Sequence, residues 1–169
     1  MPQVAVLMGS DSDLETLRPG LSALESFGIE FEVRVISAHR APRVLGEFVA
    51  GASARGIKVF IAAAGGAAHL PGVIAAMTTL PVIGVPIPTQ TAQSLDSILS
   101  ILSMPSGVPV ATMAVGSAGA TNAAVLAAQI LALSDETVAR KVRDHKVKLE
   151  KGVLEKDARV QDQFRRKQP

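Results

Sequence analysis

Between Lys58 and Asp135 the chain has one formally charged residue, Asp96. This constrains the fold most, because a stretch that long without charge has little with which to face water. It must sit in lipid or in a protein interior. Gly65, Gly66, Pro71, Pro81, Pro86 and Pro88 decide between the two. They cut "VFIAAAGGAAHLPGVIAAMTTLPVIGVPIP" into pieces shorter than the roughly 20 residues a spanning helix needs. The pieces have the lengths of buried strands and short helices, so no membrane span and no membrane partner are expected.

The whole chain is punctuated in this way. "VAVLM" (4–8) reads as a buried strand closed by "GSDSD". Leu14, Leu17, Leu21 and Leu24 then recur at helical spacing, with Pro19 and Gly20 weakening that helix, Pro19 either in its first turn or as a kink. "FEVRVI" (31–36) alternates as a strand does. Pro42 suits the first turn of a second helix, running to about Arg55. Strands are expected at 59–63, 81–85 and 110–115, and helices at 71–77, 96–102 and 120–133. Strands alternating with helices imply a parallel sheet covered on both faces. The expected fold is α/β: a flavodoxin-like three-layer αβα sandwich with a five-stranded parallel sheet and a C-terminal helical extension.

The length of 169 residues suits one domain, and 48% apolar residues without Trp or Tyr imply an aliphatic core. The absence of cysteine excludes disulfides and thiolate metal sites, and suits a reducing cytoplasm. "MPQVAVLMGS" lacks the basic start and the apolar length of a signal peptide. Charge changes abruptly at residue 135. From there on the chain has 11 Lys and Arg against 7 Asp and Glu. Residues 1–134 are therefore assigned to the flavodoxin-like domain and 135–169 to a charged helical extension of it, with Gly152 as a possible break. Mixed signs and a lone aromatic, Phe164, favour a solvated helix packed on a neighbour over a nucleic-acid site. The helix at 120–133 offers only Thr121, Asn122 and Gln129 as polar positions, and the helix starting at 71 is similar. Helices apolar all round are buried ones, so both are expected to face other copies of the chain.

Ligands of such sheets bind beyond the carboxyl ends of the strands. Those ends carry "GSDSD", "SAHRAP", "AGGAAHLPG", "PIPTQTAQS" and "GSAGATN". In the first, Ser10, Ser12 and Asp13 open a helix; they suit either N-capping, which spacing alone favours, or a phosphate and sugar hydroxyls. In the second, Ser37 precedes His39 and Arg40. Imidazole titrates near neutral pH and can give and take a proton, while guanidinium offers a planar fork to phosphate or carboxylate. In the third, Gly65, Gly66 and Gly72 let a ligand approach the backbone closely, and Ala67 and Ala68 leave an uncharged space before His69; tight strand-to-helix packing is the alternative. Asp96 reads as the cap of its helix, "GSAGATN" weakly as a further anion-friendly turn, and His145 as a solvated tail residue. No metal-ligand spacing, P-loop, G-x-G-x-x-G or serine-hydrolase elbow is present.

The motifs "MGSDSD", "SAHRAP", "AGGAAHLPG" and "MPSGVPVATMAVGSAGATNAAVLAAQIL" resemble, in order over about residues 3–133, those of the N5-carboxyaminoimidazole ribonucleotide mutases of purine biosynthesis. The resemblance implies a cytoplasmic homo-octamer with no metal or organic cofactor, acting on a small ribonucleotide. Related carboxylases, which use free carbon dioxide on aminoimidazole ribonucleotide, typically have lysine where this chain has Arg40 and differ across "GGAAHLPG". One departure stands out. The family commonly has a basic residue and a glycine ahead of the Asp-Ser pair, where this chain reads "TQTAQSLDS", with Gln90 at the basic position. The resemblance makes His39 and His69 the catalytic pair, with His39 shuttling the proton and His69 positioning. It makes Ser10, Asp13 and Arg40 the substrate-binding residues, with Ser12, Ser37, Gly65, Gly66 and Ala67 beside them. The alternatives are a carboxylase using free carbon dioxide and a non-catalytic nucleotide-sensing module on the same fold.

Overall fold

The structure is a computed structural model and describes residues 1–165, so the end of the expected extension, 166–169, lies outside the described residues. Five strands alternate with helices: β1 (Val4–Met8), α1 (Leu14–Phe27), β2 (Phe31–Val35), α2 (Pro42–Ala50), β3 (Val59–Ala64), α3 (Leu70–Met77), β4 (Val82–Pro86), α4 (Leu95–Leu102), β5 (Ala111–Thr112), α5 (Gly116–Ala132) and α6 (Glu136–Arg165). The strands form one parallel sheet in the order β2-β1-β3-β4-β5. The chain winds outward in both directions from β1 and β3. The loops leaving these two neighbours diverge, which opens a crevice at their carboxyl ends.

Side chains alternate between the two faces of the sheet. Val4, Val6 and Met8 of β1 join Leu17, Leu24 and Phe27 of α1 and the alanines of α5 in one core. Ala5 and Leu7 join Leu45 and Phe48 of α2, Leu70 and Ile74 of α3 and Ile101 of α4 in the other. The three layers are thus α1 and α5, the sheet, and α2 to α4. β1, β3 and β4 are buried throughout, whereas the edge strand β2 is partly exposed, as its charged Glu32 and Arg34 require.

Besides α2, which ends at Ala50 instead of running to about Arg55, three regions differ from expectation. Strand β5 is only Ala111–Thr112, not 110–115, and α5 starts at Gly116 rather than 120. The Ile87 N–H bonds to Ala64 O on the β3 side, so the alternate position Pro86 faces β5 without an N–H to extend the ladder. Pro19 lies inside α1, past its first turn, and the helix runs through it. The neighbouring Gly20 shows why: a Cβ there would come within 2.5 Å of Ala120 O, so the two helix backbones touch. Third, α6 is unbroken at Gly152. It packs through Val138 and the half-buried Val142, and its His145 ring stands edge-on to Phe27 at 5.4 Å rather than free in solvent. Helix α5 is therefore covered largely by α1 and α6 of its own chain, and much of its apolar surface is used there. Exposed apolar side chains on the opposite layer include Val44 of α2, Met77 of α3 and Leu95, Leu99 and Leu102 of α4.

Candidate active site

Four loops at the carboxyl edge of the sheet line one cleft of about 420 Å³. Ser10 and Asp13 come from the loop after β1, Ser37, His39 and Arg40 from that after β2, and Gly65, Ala67 and His69 from that after β3. Two expected residues stand back from it. Ser12 has its hydroxyl 2.8 Å from Ser10 Oγ and 3.2 Å from Asp13 Oδ1. Gly66 lies behind the wall, with its N–H donated to Ser97 Oγ at 3.0 Å. The loop after β5, "GSAGATN", contributes no lining residue.

The first wall is a short 3₁₀ turn, Asp11–Asp13, running into α1. Ser10 caps that turn, its Oγ accepting the Ser12 N–H at 3.4 Å. Asp13 occupies the cap position of α1 but makes no cap bond. Burial pushes its carboxyl above the usual carboxylate range, and the Asp11 carboxylate adds to this; hydrogen bonds from Ser12 and Ser10 pull the other way. Arg40 ties this wall to the next. Its Nη2 donates to Gly9 O at 2.8 Å, and its backbone N–H donates to Ser37 Oγ at 3.2 Å.

Across the cleft, His39 Nε2 and His69 Nδ1 are 2.8 Å apart, with the rings near perpendicular at 86°. For these nitrogens to hydrogen-bond, one ring must donate and the other accept, so the tautomers of the two rings are linked. The two histidines come from the loops that follow β2 and β3, the strands that flank β1, and both are exposed to the cleft.

Sequence reasoning missed Gly9, Ala38, Ala64, Leu70, Ile87, Pro88 and Thr89, all of which line the cleft. The signal for the last two was present, since "PIPTQTAQS" follows β4. Asp96 also departs from its expected role. It does not cap α4; its Oδ1 accepts the Thr89 Oγ1 hydrogen at 2.7 Å. Around it Ala92, Gln93 and Ser94 hold φ of 45°, 52° and 70° in succession. Ser94 keeps a left-handed backbone conformation that glycine adopts freely. Its hydroxyl, bonded to Thr89 N–H at 3.0 Å and Thr89 O at 3.2 Å, holds it there. Among the described residues no group of three or more His, Cys, Asp or Glu could hold a metal ion, and no helix is long and apolar enough to cross a membrane.

Comparison with known proteins agrees with this geometry. The AIR carboxylase family model matches residues 3–152. The N5-carboxyaminoimidazole ribonucleotide mutase of Thermotoga maritima is 50% identical over 161 residues, which is 95% of this chain and 93% of that one. Its namesakes from Bacillus subtilis and Brucella melitensis are 51% and 55% identical, over 91% and 82% of this chain and 95% and 86% of theirs. The crystal structure of Treponema denticola PurE superposes with a TM-score of 0.86 at 30% identity, covering 95% of this chain and 99% of that one. With its five-stranded parallel sheet and its cleft at the switch between β1 and β3, this chain belongs to the AIR carboxylase family, alongside relatives that bear the name N5-carboxyaminoimidazole ribonucleotide mutase.

Proposed function

We propose that the chain moves the carboxylate of N5-carboxyaminoimidazole ribonucleotide from the exocyclic nitrogen to carbon 4 of the imidazole, with His39 as the proton carrier and His69 as its positioning partner. One observation supports this reading above the others: the 2.8 Å contact between His39 Nε2 and His69 Nδ1, facing a wall of hydroxyls and a carboxylate. The N-carboxylate is a carbamate. When its nitrogen takes a proton from His39, the carbon–nitrogen bond breaks and its electron pair stays on nitrogen, releasing carbon dioxide. Carbon 4 of the electron-rich ring then attacks that carbon dioxide. The tetrahedral carbon 4 returns its proton to His39 and aromaticity is restored. The proton given equals the proton taken, and no electron is gained or lost. A group that titrates near neutral pH suits this cycle.

Ser10, Asp13 and Arg40 hold the phosphoribosyl end in this reading. The hydroxyl and the guanidinium face the phosphate, and the carboxylate faces the ribose hydroxyls. Ser12 and Ser37 brace them through the short bonds described above. Gly65 and Ala67 leave an uncharged space in which carbon dioxide is held between release and recapture; labelled carbon dioxide entering product during turnover would count against a sealed site.

The family model and the curated relatives carry the names of two reactions, a carboxylase and a mutase. Supplying N5-carboxyaminoimidazole ribonucleotide in one assay and aminoimidazole ribonucleotide with bicarbonate in another separates them. Rapid turnover of the first alone supports the mutase; rapid turnover of the second alone overturns it. Binding of either without turnover would leave a sensing module. We also propose a cytoplasmic homo-octamer, as the resemblance implies, with the exposed Met77, Leu95, Leu99 and Leu102 surface at a contact between copies. A stable, active monomer in light scattering at micromolar concentration would overturn that assembly.

A further inference from the structure

Gly66 is the pivot of the loop that ends in His69. Its φ of +64° turns the chain sharply after β3. Both of its backbone groups are held from outside the loop. The N–H donates to Ser97 Oγ at 3.0 Å, and the carbonyl accepts from Ser100 Oγ at 3.2 Å. Inside the loop that carbonyl also accepts the Ala68 N–H at 2.8 Å, and Ala67 O accepts the His69 N–H at 2.8 Å. Ser97 and Ser100 lie three apart on α4, so they share one face of that helix. Ser97 is 0% exposed, within an otherwise apolar layer beside Ile101. Neither serine lines the cleft.

A serine in a helix ordinarily turns its hydroxyl to solvent or back to its own helix. These two reach across to one residue and satisfy both of its backbone groups. The direction in which the chain leaves Gly66 sets where His69 begins α3, and hence where its ring meets His39. We propose that Ser97 and Ser100 are positioning residues for the reaction: by clamping the two backbone groups of Gly66 they hold the His69 ring within hydrogen-bond distance of His39. The proposal rests on the His39–His69 pair being the proton-carrying unit.

The test uses the full-length Ser97→Ala, Ser100→Ala and Ser100→Thr variants beside His39→Asn, with N5-carboxyaminoimidazole ribonucleotide as substrate. A displacement of about 1 Å costs on the order of a hundredfold in rate. Ser97→Ala is therefore expected to lower kcat roughly 10- to 100-fold, with KM changed less than about threefold. It should also alter the pH–rate profile and remove the hydrogen-bonded imidazole N–H signal of the pair from the proton NMR spectrum. Ser100→Ala should show the same changes at smaller size, and Ser100→Thr, which keeps the hydroxyl at a half-buried position, should restore the native values. If Ser97→Ala does not fold, the Ser100 pair of variants decides the matter alone. Folded alanine variants with native kcat and pH profile overturn the clamp, as does a loss of melting temperature with the NMR signal and profile intact. A His39→Asn enzyme that still turns over would instead overturn the proton-carrier assignment beneath it.

Discussion

The two walls of the cleft are held in place by opposite means. The Ser10–Asp13 wall is braced from within: Ser10 caps its own turn, and Ser12 bonds to Ser10 and Asp13. Arg40 ties it to the next wall by its bond to Gly9 O. The Gly65–His69 wall has few polar side chains of its own and is braced from behind, by two serines of α4. The difference follows the demands on each wall. Hydroxyls and a carboxylate that receive a flexible phosphoribosyl group tolerate small adjustments as it docks. A proton carrier must meet two atoms of the substrate in turn, and it is effective only if its geometry is fixed beforehand.

The comparison breaks first at the histidines. His39→Asn should lower kcat by about 10²–10⁴-fold, the range of general acid–base catalysis, while ligand affinity measured by calorimetry stays near native. His69→Asn should lose less; a larger loss there would move the proton-carrier role to the other loop. The next effect belongs to the tie between the walls. Arg40→Ala should raise KM by roughly tenfold to a hundredfold, as expected for losing a hydrogen bond to a charged group worth about 1.5–3 kcal/mol. Arg40→Lys should fall between, because it keeps the charge without the fork. A fall in kcat with unchanged KM would mean that Arg40 belongs to the chemical wall.

Asp13→Asn should weaken substrate binding several-fold, a smaller loss, and it has a pH signature. Burial raises the Asp13 carboxyl above its ordinary value, so the folded state keeps this proton to higher pH than the unfolded chain does. Its contribution to stability is complete below the unfolded carboxylate range and is lost as pH rises through the folded value. Thermal melting of the asparagine variant should therefore improve relative to the native chain between acid and neutral pH; parallel curves would show that burial does not weigh on Asp13. The smallest effect is at Ala92, whose φ of 45° is left-handed. Ala92→Gly should relieve about 1–2 kcal/mol of backbone strain and return about 0.4–1 kcal/mol through a more flexible unfolded chain. A melting temperature higher by about 1–3 °C at unchanged kcat would locate strain in the brace and not in the wall it supports.

The fold class was readable because apolar runs and glycine-rich turns alternate, and β1 falls on its expected residues. The strand ends were readable for the same reason, and they carry most of the cleft. Four things were not. The His39–His69 contact joins residues 30 apart, and no local pattern encodes it. Ser97 and Ser100 look like the polar positions of an ordinary surface helix; only the course of β3 into α3 shows what they face. The charge-free α5 was expected to need another copy of the chain, because composition shows that a helix is covered but not which segment covers it. Asp96, at a helix start, satisfied the usual capping pattern, while its partner Thr89 lies seven residues upstream in the loop after β4, and no local pattern links the two.

The contact between Gly20 and Ala120 has a consequence for how the chain is made. Helix α1 has 14 residues, close to the length at which helices are marginal in water by themselves. It also contains proline and glycine, which weaken a helix interior by about 3 and about 1 kcal/mol relative to alanine. The tight crossing that offsets this involves a helix starting at residue 116. During synthesis from the N-terminus, α1 leaves the ribosome long before that partner exists. Until α5 emerges, the core that α1 forms with β1 lacks the alanines that complete it.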